Sequence, residues 1–252
     1  MKSKFNKSFV LFALITSTIQ LPAQNFDSLA TSFPKMKGVF SKILSDTPNF
    51  SANAVIGLFD ATNRMLAKMP MHFDLSPERM REEIDVMNMP FPLEWREAVK
   101  KGHIDKIAII TQVDTKKVYI LFPGIQAYQE FPISDSVLSE FQTRANDVKI
   151  EKVDVGQETI EGHPCIQTKM TVTETNKPPE FAILRCATDL QNFPIRMDVY
   201  TKTSTTRFIF EDVHVGPPAA ELFEVPSDYR AFANTAEIMR YAKEKEQNQS
   251  TQ

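Results

Sequence analysis

Two spacings of apolar positions divide the chain. Leu29, Phe33, Met36, Phe40, Ile43 and Leu44 recur every three or four residues, which predicts an amphipathic helix interrupted by Pro34 and Gly38. From Phe50 onward the period falls towards two. Met71, Phe73 and Leu75 alternate with Pro70, His72 and Asp74, as on a half-buried strand. Ser76-Pro77-Glu78 fits a helix start, yet Met80, Ile84 and Val86 fall on alternate positions among Arg79, Arg81, Glu83 and Asp85. A hairpin turn at Pro77-Glu78 and a strand from Arg79 to Val86 is the reading adopted, with a helix as its alternative. A short helix follows from Pro92 to Lys101, closed by Gly102.

Further strands are predicted at Lys106–Val113 and Lys117–Phe122, joined by a hairpin at Asp114-Thr115-Lys116. Gln126–Pro132 comes next, and Ser134 caps a predicted helix through Ala145. Strands then run over Lys149–Val155, His163–Thr173, Glu180–Thr188, Ile195–Thr201 and Thr206–Val215. Consecutive strands with short connections imply an antiparallel sheet rather than βαβ units, hence a mainly β (α+β) fold. Thr235–Glu246 reads as a C-terminal helix ahead of a polar stub.

The first residues change the setting. Lys2, Lys4 and Lys7 precede an uncharged run from Phe9 to Leu21, then Pro22 and Ala23, the pattern of a secretory signal peptide cleaved near Ala23. No Cys follows that run, so an acyl anchor is not expected. The expected organisation is a signal peptide at 1–23, one β domain at 24–232, and a helix with a frayed tail at 233–252. The address is periplasmic, with secretion as the alternative. Loss of the leader moves the net charge from -3 to about -6. A mildly acidic chain is a poor match to nucleic acid. No later run is apolar enough to span a bilayer. Oligomeric state is not legible.

The two cysteines, Cys165 and Cys186, flank Thr175-Asn176-Lys177-Pro178-Pro179. A two-residue turn at Thr175-Asn176 would set position 165 opposite 186, within disulfide reach, and an even count in an exported chain supports pairing. Two separate buried thiols are the alternative.

Catalytic chemistry finds little footing. His72, His103, His163 and His214 show no metal-ligand spacing, and no GxSxG, Walker or GxGxxG motif occurs. His163-Pro164-Cys165 could set an imidazole near a thiol, but a disulfide would disarm it. Glu82-Glu83-Asp85 and Glu151 with Asp154 are carboxylate clusters of the kind that solvated strand faces carry. No cofactor is implied and no enzyme is expected. Apolar supply is more telling: 19 Phe and 11 Met accompany a single Trp. Met65, Met69, Met71, Met80, Met87 and Met89 crowd around Phe91, which suits an adaptable greasy surface as well as a core.

Three stretches resemble one family. Val155-Gly156-Gln157-Glu158-Thr159-Ile160-Glu161-Gly162-His163-Pro164-Cys165 resembles the "G-x-E-x-x-x-G-x-x-C" element of exported bacterial proteins grouped as DUF4412. Leu190-Gln191-Asn192-Phe193-Pro194-Ile195-Arg196-Met197 is similar to its "dl-x-x-x-P-v-r" entry to a strand. Glu221-Leu222-Phe223-Glu224-Val225-Pro226-Ser227-Asp228-Tyr229 is similar to its closing "lFe-x-P-x-x-Y" signature. With the hairpin from Met71 to Val86, the resemblance spans residues 50 to 230.

That family is in turn similar to LolA/LolB-like lipoprotein-sorting proteins. The resemblance implies a strongly curved antiparallel sheet, an unclosed barrel, whose concave side is covered by helices and shelters acyl chains. Helices at Phe26–Leu44 and Pro92–Lys101 would be the lids. Phe33, Phe40, Met69, Met71, Phe73, Met80, Phe91 and Trp95 would contact the ligand. Carriers of this type place an Arg on an early strand near a Pro; in Lys68-Met69-Pro70 that place holds Met69. The expected function is a non-enzymatic periplasmic binder or carrier of an acyl chain, lipid or lipoprotein. The alternatives are an envelope scaffold with a filled interior and, more remotely, a hydrolase built on His163 or His72.

Overall fold

The structure is a computed structural model in which residues 49–88, 93–136, 148–174, 179–200 and 203–249 are described. The expected leader, the helix over 29–44 and most of the helix over Ser134–Ala145 lie outside those residues. So do Phe33, Phe40 and Phe91 among the expected ligand contacts.

Twelve strands form one unclosed, curved sheet. They are β1 (Phe50–Asp60), β2 (Met65–Leu75), β3 (Arg79–Asp85), β4 (Lys106–Gln112), β5 (Lys117–Phe122), β6 (Ala127–Pro132), β7 (Val148–Ile160), β8 (His163–Glu174), β9 (Glu180–Ala187), β10 (Phe193–Tyr200), β11 (Ser204–Val215) and β12 (Arg230–Ala231). Their order is β12-β6-β5-β4-β3-β2-β1-β11-β10-β9-β8-β7. All pairings are antiparallel except the short β12 beside β6. Chain neighbours pair with chain neighbours, as short hairpin connections dictate. The long return places β11 against β1 and joins the two meanders.

The ambiguous stretch is a strand. Ser76 N–H donates to Arg79 O at 2.8 Å across a two-residue Pro77-Glu78 turn, and Leu75 pairs with Met80. The period of two prevails because Met80 and Ile84 bury on one face beside Leu75 and Met71. Between β7 and β8, Glu161 and Gly162 both take positive φ (51° and 89°), the two-residue hairpin geometry that suits the twist of the strands.

Two α-helices accompany the sheet among the described residues: α1 (Leu93–Lys101) and α2 (Thr235–Gln249). α1 buries Val99 in the main core. α2 starts at a reciprocal cap: Glu237 N–H donates to Asn234 Oδ1 at 3.0 Å, while Glu237 carboxylate oxygens accept from Asn234 Nδ2 and Ala233 N–H. Its Ile238 and Ala242 are buried, and Lys245 Nζ donates to Ile125 O in the turn before β6. The helix runs three residues beyond the expected Glu246.

Alternation sorts the side chains into two faces. On β1–β5 the buried set Phe50, Ala52, Ala54, Ile56, Met69, Met71, Phe73, Leu75, Ile107, Ile109, Val118 and Ile120 occupies one face, hereafter the apolar face. It continues through Phe208 and Phe210 on β11, Met197 and Val199 on β10, Leu184 and Ala182 on β9, and Met170 and Val172 on β8. The opposite face carries a small satellite core. There the turn Ala220–Phe223 lays Phe223 on Ala108, Ile110 and Leu121.

The cysteine register corrects the expected disulfide. β8 and β9 pair Cys165 with Ala187 and Ile166 with Cys186. This is one residue off the assumed register, so the two thiols point to opposite faces and both are free.

Candidate functional site

Four of the expected ligand contacts converge on the apolar face. Met69, Met71 and Phe73 lie along β2, and Met80 faces them from β3; all four are buried. They face Ile56, Ala54 and Ala52 on β1. Trp95 belongs to α1, though its side chain lies outside the described set.

Sequence reasoning missed the aromatic floor next to this group. Phe193 packs edge-on against Phe50 and Phe210, with centroids 4.9 and 5.3 Å apart, and Phe50 meets Phe210 at 6.2 Å. The alternation Phe208-Ile209-Phe210 was the available signal. It reads as an ordinary strand until β11 is known to lie beside β1.

Two polar groups without a hydrogen-bond partner stand side by side on this apolar face, which also carries buried Gln129, Thr168 and, on β11, an unpartnered Thr206. Glu82 pairs in register with Phe73 and Ile109, is 0 % exposed, and neither carboxyl oxygen has a hydrogen-bond partner. Burial alone raises its pKa well above the ordinary carboxylate value. Thr111, its diagonal neighbour across β3–β4, is equally buried, and its hydroxyl has no partner.

The opposite face holds a cleft of about 560 Å³ edged by Asn53, His72, Arg81, Glu83, Lys106 and Glu211. Ser51, His72 and Asp74 meet beside it, which bears on the hydrolase alternative. Ser51 Oγ donates to Asp74 Oδ1 at 2.6 Å, and His72 Nε2 lies 3.3 Å from Ser51 Oγ and 3.4 Å from Asp74 Oδ2. His72 Nδ1 sits 2.9 Å from Asn53 Oδ1, whose amide is fixed by donating to Asp212. The hydrogen bond to Asp74 raises the His72 pKa against the effect of burial. At Asp74, burial opposes ionisation, but the bonds from His72 and Ser51 outweigh it and hold the pKa low. A nucleophilic serine must give its proton to a neutral imidazole. Here the serine proton goes to the carboxylate, and the bond to Asp74 raises the His72 pKa, the reverse of what a serine nucleophile needs from its base.

The Cys–His pair is likewise undone. His163 Nδ1 lies 2.9 Å from Asp189 Oδ2, while buried Cys165 donates to the His163 carbonyl at 3.4 Å. The carboxylate clusters diverge. Glu82 and Glu83 point to opposite faces, Glu83 binds Arg81, and Asp85 accepts from Met87 N–H. Glu151 pairs with Lys149, and Asp154 accepts from Thr168. Among the described residues, no group of three or more His, Cys, Asp or Glu could hold a metal. No described helix is long and apolar enough to cross a membrane.

Fold and site together define a class: a mainly β protein with one open curved sheet, apolar on one face and ion-paired on the other. Residues 65–185 match the family model described as "Domain of unknown function (DUF4412)". The match is shorter than the expected span of 50–230 and leaves the 190–197 and 221–229 signatures outside it. No curated protein matches the chain. Among solved structures, the chain is similar to the lipoprotein LppX of Mycobacterium tuberculosis at 10% identity and TM-score 0.42, covering 74% of this chain and 97% of that one. It is similar to LprF of Mycobacterium bovis at 12% identity and TM-score 0.40, over 77% and 96%. A LolA superfamily protein of Nitrosomonas europaea gives 12% and 0.33, over 73% and 96%.

Proposed function

We propose that the protein is a non-enzymatic periplasmic binder or carrier of a hydrophobic ligand, an acyl chain, lipid or lipoprotein. The observation that carries this reading is the apolar face. It continues across ten strands and holds five buried methionines, Met69, Met71, Met80, Met170 and Met197, among small alanines and large phenylalanines. Flexible thioethers reshape around alkyl chains, and each methylene moved from water to such a surface contributes about 0.8 kcal/mol. The partner is then a lipid or an acylated protein rather than nucleic acid.

The test is native mass spectrometry and lipid extraction of protein purified from its host, followed by competition with a fluorescent fatty acid. Co-purifying lipid or acylated protein, told apart by mass, supports the reading. Protein free of both that also fails to bind the probe overturns it.

The scaffold reading is favoured by one observation. β7 is an edge strand of 13 residues with Val153 and Val155 half exposed or more, a row onto which another strand could add. Lys149 and Lys152, together with a bulge between Asp154 and Gly156, blunt that edge and weigh against it.

A further inference from the structure

We infer that Glu82, with Thr111 beside it, is the polar anchor that grips the carbonyl of a neutral long-chain acyl ester or amide on the apolar face. The inference rests on the carrier reading and deepens it to a ligand class.

An unpartnered carboxyl between Phe73 and Ile109 is out of place in a core that needs only packing. Leaving a buried polar group without a bond costs about 1–3 kcal/mol. The chain bears this twice at neighbouring positions, since Thr111 is also 0 % exposed and also unpartnered. Cross-strand register makes the two diagonal neighbours on one face, close enough to serve one headgroup.

Their chemistry selects the ligand. Among the described residues no Lys, Arg or His bonds Glu82, and its row neighbours Ala52, Phe73, Ile109 and Ile120 carry no charge. The carboxyl therefore stands as a neutral acid whose O–H donates, and the threonine hydroxyl is a second donor. Two neutral donors complement a carbonyl oxygen. An ionised carboxylate or phosphate would bring an uncompensated charge into the same desolvated place, which is far costlier. The methionines of β2 and β3 flank the anchor and would receive the chain.

The experiment compares two probes on the intact protein: a pyrene-labelled long-chain methyl ester and the matching alkylpyrene, which has the same chain and no carbonyl. Glu82→Leu removes the donor and suits its apolar neighbours, while Glu82→Gln keeps a donor in the same place. The expected result is an ester affinity roughly tenfold lower in Glu82→Leu, within about threefold of wild type in Glu82→Gln, and an unchanged alkylpyrene affinity in both. Thr111→Val should reproduce a weaker, ester-selective loss. Equal affinities for both probes in all variants overturn the anchor and leave the carrier reading intact, because an internal water would then be the partner. If wild type binds neither probe, the carrier reading falls and the anchor falls with it.

Discussion

Asp198 is the carboxylate on which one half of the polar face turns, and its replacement by Asn is the sharpest stability test the structure offers. It is 1 % exposed and accepts from Arg185 Nη1 at 2.6 Å, Arg196 Nη2 at 3.1 Å and Arg207 Nε. These arginines come from β9, β10 and β11, so one side chain ties three strands together. The register makes the need acute: Arg185 and Arg196 are directly opposed across β9–β10, and like charges in that position repel. Three hydrogen bonds between charged groups, at about 1.5–3 kcal/mol each, set an upper bound that solvation reduces. Arg185 is only 11 % exposed, but Arg196 and Arg207 are 29 % and 20 % exposed and recover water as a partner. Asp198→Asn should therefore cost about 3 kcal/mol, between a surface pair and a fully buried one. For a domain of this size that lowers Tm by about 6–12 °C, read by circular dichroism at pH 7 and checked by urea titration. Arg196→Gln, which removes one of the three bonds, should cost about 1 kcal/mol. A Tm within about 2 °C of wild type for Asp198→Asn would refute the reasoning and free this arginine cluster for another role.

Three further outcomes are expected. Protein prepared without reductant should show two titratable thiols and no loss of two hydrogens by intact mass. Burial pushes the Cys186 pKa to about 11, so its native alkylation should run about a hundredfold slower than that of an exposed thiol; a single disulfide-linked species would contradict the register. His72 has a raised pKa in the folded state, so its contribution is complete below its ordinary value of 6.5 and is lost as pH climbs through the raised one. Asp74 has a lowered pKa, so its contribution is present above 3.8 and is lost as pH falls through the lowered one. His72→Asn should flatten only the alkaline limb of a plot of urea midpoint against pH, and an unchanged alkaline limb would contradict the pairing. Phe223→Ala, at a residue 3 % exposed on the satellite core, should cost about 3 kcal/mol in urea titration; a change below about 1 kcal/mol would show that the closing turn does not clamp the sheet.

Most strand positions were legible because a half-buried strand writes its two faces into every second residue. Met71-His72-Phe73-Asp74 is such a record, with Met71 and Phe73 inward and the His72–Asp74 network outward. Register was less legible. The cysteine pairing failed by one residue because loop length is set by backbone geometry that composition does not report. Glu82 was read as part of a solvated acidic run, since a sequence shows a carboxylate but not the face it takes. The parity was nonetheless written in the chain: Met80, Glu82 and Ile84 share one face, and Arg81, Glu83 and Asp85 share the other. Asp198 and its arginines were beyond reach, because Arg185, Arg196 and Arg207 become neighbours only once three strands are aligned. The "dl-x-x-x-P-v-r" resemblance did carry one member of that cluster, Arg196, without its reason.

The two faces impose different rules on where a ligand could sit. On the polar face three charged centres already have partners: Arg79 holds Asp114 and Glu224, Arg81 holds Glu83 and the Leu222 carbonyl, and Asp198 holds three arginines. A ligand arriving there must displace a formed ion pair, which leaves a charge unmatched and gains little. The apolar face is the reverse. Its hydrocarbon is indifferent to which alkyl group covers it, and the Glu82 carboxyl and the Thr111 and Thr206 hydroxyls on it are unmatched before anything arrives. Hydrogen-bonding capacity left unused in an apolar setting biases binding toward whatever supplies an acceptor with a hydrocarbon tail. That combination, rather than the number of greasy residues, separates a binding surface from a filled core. It makes Glu82 the position at which an anchored ligand and a merely covered apolar face give different answers.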